Sequence, residues 1–208
     1  GMSILSYCKS LEMHNLLGQH HAIARDIGAE VLSEAIRTAK NGPVPNELID
    51  EVIKHSAKTI NYQGSNLALI AADKGYVENL KQLLSHYDLS ELAEELACAV
   101  FHAPVPQFKP VSMLIQLTDV LINAGIKVQM DSIKMFHPFT ELSDRPEIFD
   151  SVSLDKAYEL FDKVTELGFD PLATMYTGTN LLYFAIQGMN IPLIRYCLDQ
   201  GLSLMDLE

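Results

Sequence analysis

The feature that most constrains this chain is an internal repeat. Gly64-Ser65-Asn66-Leu67-Ala68-Leu69-Ile70-Ala71-Ala72-Asp73-Lys74-Gly75-Tyr76-Val77 aligns without a gap on Gly178-Thr179-Asn180-Leu181-Leu182-Tyr183-Phe184-Ala185-Ile186-Gln187-Gly188-Met189-Asn190-Ile191, 114 positions later. After each copy a second amphipathic stretch follows at the same offset, with Leu80, Leu83 and Leu84 in one and Ile194, Cys197 and Leu198 in the other. A repeated unit of this size buries only one face of its own, so stability must come from stacking on neighbours.

The rest of the chain reads as helices in the same rhythm. Apolar residues recur at spacings of three and four, as in Ile23, Ile27, Val31, Leu32 and Ile36, and strand-type alternation is nearly absent. Helices are predicted near 4–17, 20–40, 46–58, 66–73, 77–86, 90–102, 111–123, 153–166, 180–187 and 190–199. Glycine and proline punctuate them, notably at Tyr62-Gln63-Gly64, Pro104 to Pro110, Gly125, Gly168 and Gly201. Two further second helices, Met113–Asn123 and Leu154–Leu167, end just before Gly125 and Gly168. The unit ends at Tyr87, Gly125, Gly168 and Gly201 are then 38, 43 and 33 residues apart. The longer spacings are absorbed by insertions at Pro104–Pro110 and Pro138–Asp150.

A 33-residue period, with Gly64, Ala71, Ala72, Gly75, Leu83 and Leu84 in one copy and Gly178, Ala185, Leu198 and Gly201 in the last, resembles the ankyrin-repeat family. The family's Thr-Pro-Leu-His box reads Asn66-Leu67-Ala68-Leu69 and Asn180-Leu181-Leu182-Tyr183 here, without the proline and histidine. The resemblance implies an all-α fold, a right-handed α-solenoid of about four degenerate ankyrin-like repeats over residues 61–208. Residues 2–60 form an N-terminal helical cap or small helical domain. Asn66 and Asn180 are expected to cap the first helices. Small Ala71, Ala72 and Ala185 let neighbouring first helices approach closely. Gly125, Gly168 and Gly201 are expected in the left-handed conformation that ends a helix.

The implied function is non-catalytic protein–protein interaction through hairpin tips and a concave face. The family's contact positions map onto Tyr62, Gln63, Ser65, Asp73 and Lys74 in the first copy, and onto Tyr176, Thr177, Thr179 and Gln187 in the last. Tyr62 and Tyr176 recur at the same tip position, and tyrosine is a favoured interface anchor. Degenerate arrays of this kind resemble those of intracellular bacterial effectors, which implies the cytoplasm of the producing cell or of a host cell.

Other classes find less support. The chain has no Gly-rich phosphate loop, Gly-x-Ser-x-Gly elbow or His-Glu-x-x-His pair. The alternative reading is an enzyme with its active site in the N-terminal helices, where His14, His20 and Asp26 could hold a metal, and the repeats as a targeting arm. His20 and His21 are adjacent and so point about 100° apart on a helix, which hinders joint ligation. Glu91, Glu94 and Glu95 follow Ser90 and suit the opening of a helix better than acid–base chemistry. Cys8, Cys98 and Cys197 are odd in number and far apart, so neither a disulfide framework nor a zinc ribbon is expected.

Fifteen Lys and Arg against twenty-seven Asp and Glu give a charge of −12, which repels nucleic acid and anionic membranes. No cofactor is expected. Gly1 ahead of Met2 reads as the scar of a cleaved tag. The tail from Leu202 to Glu208 offers Leu202, Leu204, Met205 and Leu207 where a terminal repeat needs a polar cap. An end-to-end homo-oligomer or continuation in a longer chain would cover it.

Overall fold

The computed structural model describes residues 27–56, 60–102, 109–128, 137–173 and 179–203. Among them are ten α-helices and no strand: α1 (Ile27–Ala39), α2 (Asn46–Ser56), α3 (Ile60–Lys74), α4 (Val77–His86), α5 (Ala93–Phe101), α6 (Val111–Asn123), α7 (Pro138–Ser143), α8 (Leu154–Glu166), α9 (Leu181–Gln187) and α10 (Ile191–Asp199). Single 3-10 turns at Ser90–Leu92 and Pro146–Phe149 precede α5 and α8. No helix among the described residues is long and apolar enough to cross a membrane.

Packing follows chain order. Each odd helix packs on the even helix after it, from α1 on α2 to α9 on α10. The odd helices also pack in succession, α1 on α3, α3 on α5, α5 on α7 and α7 on α9, and the even helices do the same from α2 to α10. The odd row is built close with buried Ala35, Ala39, Ala68, Ala71, Ala72, Ala97 and Ala185, as the small residues led one to expect. The even row supplies bulk through Leu80, Leu83, Leu117, Leu121, Leu160 and Leu193. Phe161 of α8 is fully buried, with its ring 5.1 to 6.5 Å from those of Phe139, Phe149, Tyr158 and Tyr196.

Five helices end in one and the same turn. The residue after the last turn donates its N–H three residues back, and the next residue donates five back, which is the Schellman arrangement. The pairs are Gly75 to Ala72 and Tyr76 to Ala71, Gly125 to Ile122 and Ile126 to Leu121, Gly168 to Thr165 and Phe169 to Val164, Met189 to Ile186 and Asn190 to Ala185, and Gly201 to Leu198 and Leu202 to Cys197. The pivotal residue has positive φ in each: +76°, +76°, +115°, +54° and +94°. Glycine fills four of the five positions, including the expected Gly125, Gly168 and Gly201, and Met189 fills the fifth.

Three local expectations are corrected. Helix α3 starts at Ile60, so the backbone of Tyr62, Gln63 and Ser65 is helical and does not form a hairpin tip. Gly64 inside it costs about 1 kcal/mol against alanine. The buried anchor of Leu67, Ala68, Ala71 and Ala72 holds the helix despite that cost. Asn66 therefore lies within α3 and is not its cap, whereas Asn180 caps α9 by accepting the Tyr183 N–H at 3.1 Å. The insertion Pro138–Asp150 contains a helix of its own, α7. Pro138 starts it, since the proline ring presets φ and its missing N–H is not needed there. Phe139 and Leu142 bury it.

His137, just before α7, is buried with neither ring nitrogen hydrogen-bonded. It stacks on Phe139 at 5.7 Å and meets the Phe169 ring edge-on at 5.3 Å. Burial pushes its pKa down to about 4, although Asp170 pulls the other way. Between pH 6.5 and about 4 the unfolded chain holds a proton that the folded chain refuses, so stability falls as pH falls through that window. His137→Phe should flatten this dependence in urea unfolding followed across that range, and an unchanged slope would reject the assignment.

Two glycines separate conformation from space. A Cβ on Gly125 meets nothing within 4 Å, whereas one on Gly168 would lie 2.3 Å from the Val128 carbonyl oxygen. Val128 is held there by donating its N–H to the Leu167 carbonyl at 2.8 Å. Gly125→Ala should cost about 1 kcal/mol of stability, the left-handed penalty alone. Gly168→Ala should cost more than about 2 kcal/mol because backbone must also move. Equal midpoints for the two in urea unfolding would contradict the difference.

Candidate functional site

Helix α5 ends where the first insertion begins, and its last carbonyls need donors. The Lys109 ammonium is buried and donates to the carbonyls of Ala99 at 3.0 Å, Val100 at 2.9 Å and His102 at 3.5 Å. From the second insertion, Arg145 Nη1 donates to the Phe101 carbonyl at 2.9 Å, and its Nη2 donates to Glu141 at 2.8 Å. His102 Nδ1 lies 3.6 Å from the same Glu141 carboxylate. Two cations from opposite sides thus complete one helix C-terminus, where the peptide dipoles favour positive charge.

The end of α3 joins the cluster electrostatically. Burial lowers the Lys109 pKa to about 8; Asp73 opposes the shift, while Arg145 and Lys74 add to it. Asp73 and Lys74 lie 3.5 Å apart and are both partly open to solvent. The ends of the first helices α3, α5 and α7 therefore bring Asp73, Lys74, His102, Lys109, Glu141 and Arg145 into one polar edge. Lys109 has its donors committed to three carbonyls, so its lowered pKa does not make it a free nucleophile. His102, Lys74 and Asp73 face water and can meet a second surface.

The expected contact residues fall unevenly on this edge. Asp73 and Lys74 belong to it, and Gln187 is exposed at the matching end of α9. Thr179 is half-buried just before the Asn180 cap. The side chains of Tyr62, Gln63 and Ser65 lie outside what is described, as do residues Tyr176 and Thr177. The candidate metal ligands His14, His20, His21 and Asp26 also fall outside the described residues. Among those described, no three His, Cys, Asp or Glu side chains gather as metal ligands.

Other polar features serve the framework. Asn79 accepts the Val44 N–H and donates to the Val44 carbonyl, both at 2.8 Å, tying α4 to the turn between α1 and α2. Asn190 caps α10 and donates to the Leu142 carbonyl at 2.9 Å, tying it to the end of α7. Asp88 accepts both the N–H and the hydroxyl of Ser90, which organises the acidic start of α5 around Glu91, Glu94 and Glu95. The thiol of half-buried Cys98 is raised by burial, then by Glu141 and Glu95; burial pushes that of Cys197 up to about 12. Both stay protonated at neutral pH.

Two clefts among the described residues lie away from the edge. One of about 650 Å³ runs between α4 and α6 and includes Pro43, Tyr76, Lys81 and Asp119. The other, about 440 Å³, lies over α8 among Asp155, Glu159, Asp162 and Glu166. Compared with family models, with curated proteins and with solved structures, the chain matches none.

Lysine and arginine at the α5 terminus differ in how pH reaches them. Lys109 is charged in both states below pH 8, and its burial is then a cost. Between about 8 and 10.5 the unfolded chain keeps the proton that the folded chain releases, so stability rises with pH. Wild type should gain stability over Lys109→Met across that window, read as urea midpoints against pH. Arg145→Met leaves the Phe101 carbonyl without its donor and should cost about 1–3 kcal/mol at all pH values. A Lys109→Met difference that does not change with pH would contradict the buried, charged cap.

Proposed function

We propose that this chain is a non-catalytic protein–protein interaction module, an α-solenoid of ankyrin-like helix pairs that meets its partner along the ends of the first helices. The two rows of helices in strict succession support this reading, with the pairs from α3 onward as four degenerate repeats and α1–α2 as part of the N-terminal cap. The recurring glycine-centred turn after α6, α8 and α10 supports it as well.

The observation that carries the functional part is the polar edge at α3, α5 and α7. Lys74 and His102 are exposed there and Asp73 is half-exposed, and the backbone at the end of α5 is fixed from behind by Lys109 and Arg145. Preorganised polar groups on a rigid framework bind with little loss of side-chain and loop freedom. Of the contact residues the resemblance implies, Asp73 and Lys74 lie on this edge and Thr179 and Gln187 flank α9, while Tyr62, Gln63 and Ser65 belong to the opposite end of α3 and Tyr176 and Thr177 precede α9 in the chain. The acidic chain, at −12, favours a partner of basic character and speeds its approach.

The test is affinity capture from cell lysate with the immobilised chain and three variants. Tyr62→Ala/Tyr176→Ala and Lys74→Glu/Gln187→Ala should each lose at least about tenfold in capture, the scale of an interface anchor. Glu159→Gln on α8 should retain it. Equal capture by all four proteins, or substrate turnover in an activity screen, would overturn the proposal.

A further inference from the structure

The last helix pair exposes an apolar surface that the interior pair of the same design keeps covered. Tyr183 and Ile186 of α9, Met189 in the turn, and Ile191 and Leu198 of α10 are all open to solvent. The 114-residue correspondence gives each an interior counterpart. Ile186 matches Ala72, and its exposure is 41% against 0%; Leu198 matches Leu84, at 49% against 8%. The counterparts are covered because α5 packs on α3 and α6 packs on α4. What fits this face is therefore another apolar helical surface.

Met189 adds a second, independent observation. Its counterpart is Gly75, whose Cα is approached by Met113 of the following pair, with the sulfur 2.3 Å from where a Cβ would stand. In the last copy the methionine is on the turn itself, at φ +54° and 76% exposed. A left-handed residue other than glycine costs about 1–2 kcal/mol, and here it holds an apolar side chain in water. Nothing among the described residues offsets that cost. Methionine adapts its shape to whatever surface meets it.

Charge selects the occupant. The chain is strongly acidic, and the neighbouring face of α8 carries Asp155, Glu159, Asp162 and Glu166 against Lys163, with Lys156 paired to Glu159. Across α9 and α10, by contrast, the only charged residues are Arg195 and Asp199, one of each sign. Two acidic chains can meet on this surface without like-charge repulsion. Arg195 and Asp199 are both exposed and four residues apart; Asp199 Oδ2 accepts from the Tyr158 hydroxyl of α8 at 2.5 Å, and across a two-fold axis the Arg195 of an antiparallel second copy would meet its other oxygen. Two-fold, self-complementary contacts are the commonest route to soluble oligomers.

We propose that the α9–α10 face is a homodimer interface, through which two copies of this chain meet. It adjoins the partner-contact set at Gln187 of α9 but shares no residue with it, so either proposal can fail without the other.

The test is the mass of the full chain in solution, by analytical ultracentrifugation from micromolar to near-millimolar concentration. Wild type should reach twice 23.1 kDa with a concentration-dependent midpoint. Ile186→Glu/Leu198→Glu should remain monomeric with unchanged helix content by circular dichroism. Met189→Glu, at the most exposed point, serves if that pair impairs folding. Arg195→Asp and Asp199→Arg should each weaken the dimer, and combining them should restore it. A wild type that stays monomeric overturns the proposal, as does a dimer that persists in Ile186→Glu/Leu198→Glu or Met189→Glu. A monomer that binds an amphipathic helical peptide on this face overturns the second copy as occupant.

Discussion

Each interior helix pair in this chain must be covered on two opposite sides, and the rest of the structure depends on that requirement. Helices of six to thirteen residues, such as α7 and α8, are marginal or unstable alone in water because the first turn is costly to nucleate. They persist because Leu80, Leu83, Leu117, Leu121 and Leu160 are buried between neighbours, each worth roughly 1.5–3 kcal/mol relative to exposure. The short helix α7 is the extreme case. It is held by α5 and α9 in its own row and by α8 across from it. Removing either flank would leave Phe139 and Leu142 without cover.

The same requirement explains why the turns are uniform while the connections between helices vary. A Schellman turn brings the chain out of a helix in one fixed direction, so the next helix starts against its neighbour. Where Gly168 makes that turn, the Val128 carbonyl already fills the space a side chain would need. At that point the segment leaving the Gly125 turn is packed directly on the Gly168 turn. Insertions are tolerated only away from those points. Both were anticipated as loops between the helices of one unit, and each contributes a cation to the end of α5. Length added to the chain there is offset by completing a terminus that a shorter connection would leave short of donors.

Much of this was legible locally. The three-and-four spacing marks most of the helices, and Gly125, Gly168 and Gly201 announce their left-handed turns because no other residue enters that conformation without strain. Other features were hidden for physical reasons. Helix α7 has six residues, too few to display a period, and only Pro138 hints at its start. The extension of α3 through Gly64 depends on burial further along the helix, which overrides the local breaker. The α5 cap joins Arg145 to Phe101 across 44 positions, and the Asn79 clamp reaches Val44 across 35. No spacing rule links such pairs. A signal did exist in the insertions, each of which offers one cation, but charge alone does not say which helix end it will meet.

Where the cations go also changes what the net charge means. Lys109 and Arg145 turn inward to peptide carbonyls, Lys163 pairs with Asp119, and Lys156 pairs with Glu159 at 2.5 Å. Arg37 and Lys54 pair with Glu34 and Glu51 one turn away on their own helices. These cations are matched locally, and acids such as Asp155 and Glu166 contribute to the potential of the outer face of α8. Against that background α9 has no charge and α10 has a balanced pair, so the field weakens where the apolar side chains emerge. Like-charge repulsion falls off within about a Debye length, roughly 8 Å at physiological salt. Its local absence over α9 and α10 therefore matters more to association than the total of −12. The acidity of the α8 face and the near-neutrality of α9 and α10 both arise from the placement of a few lysines and arginines.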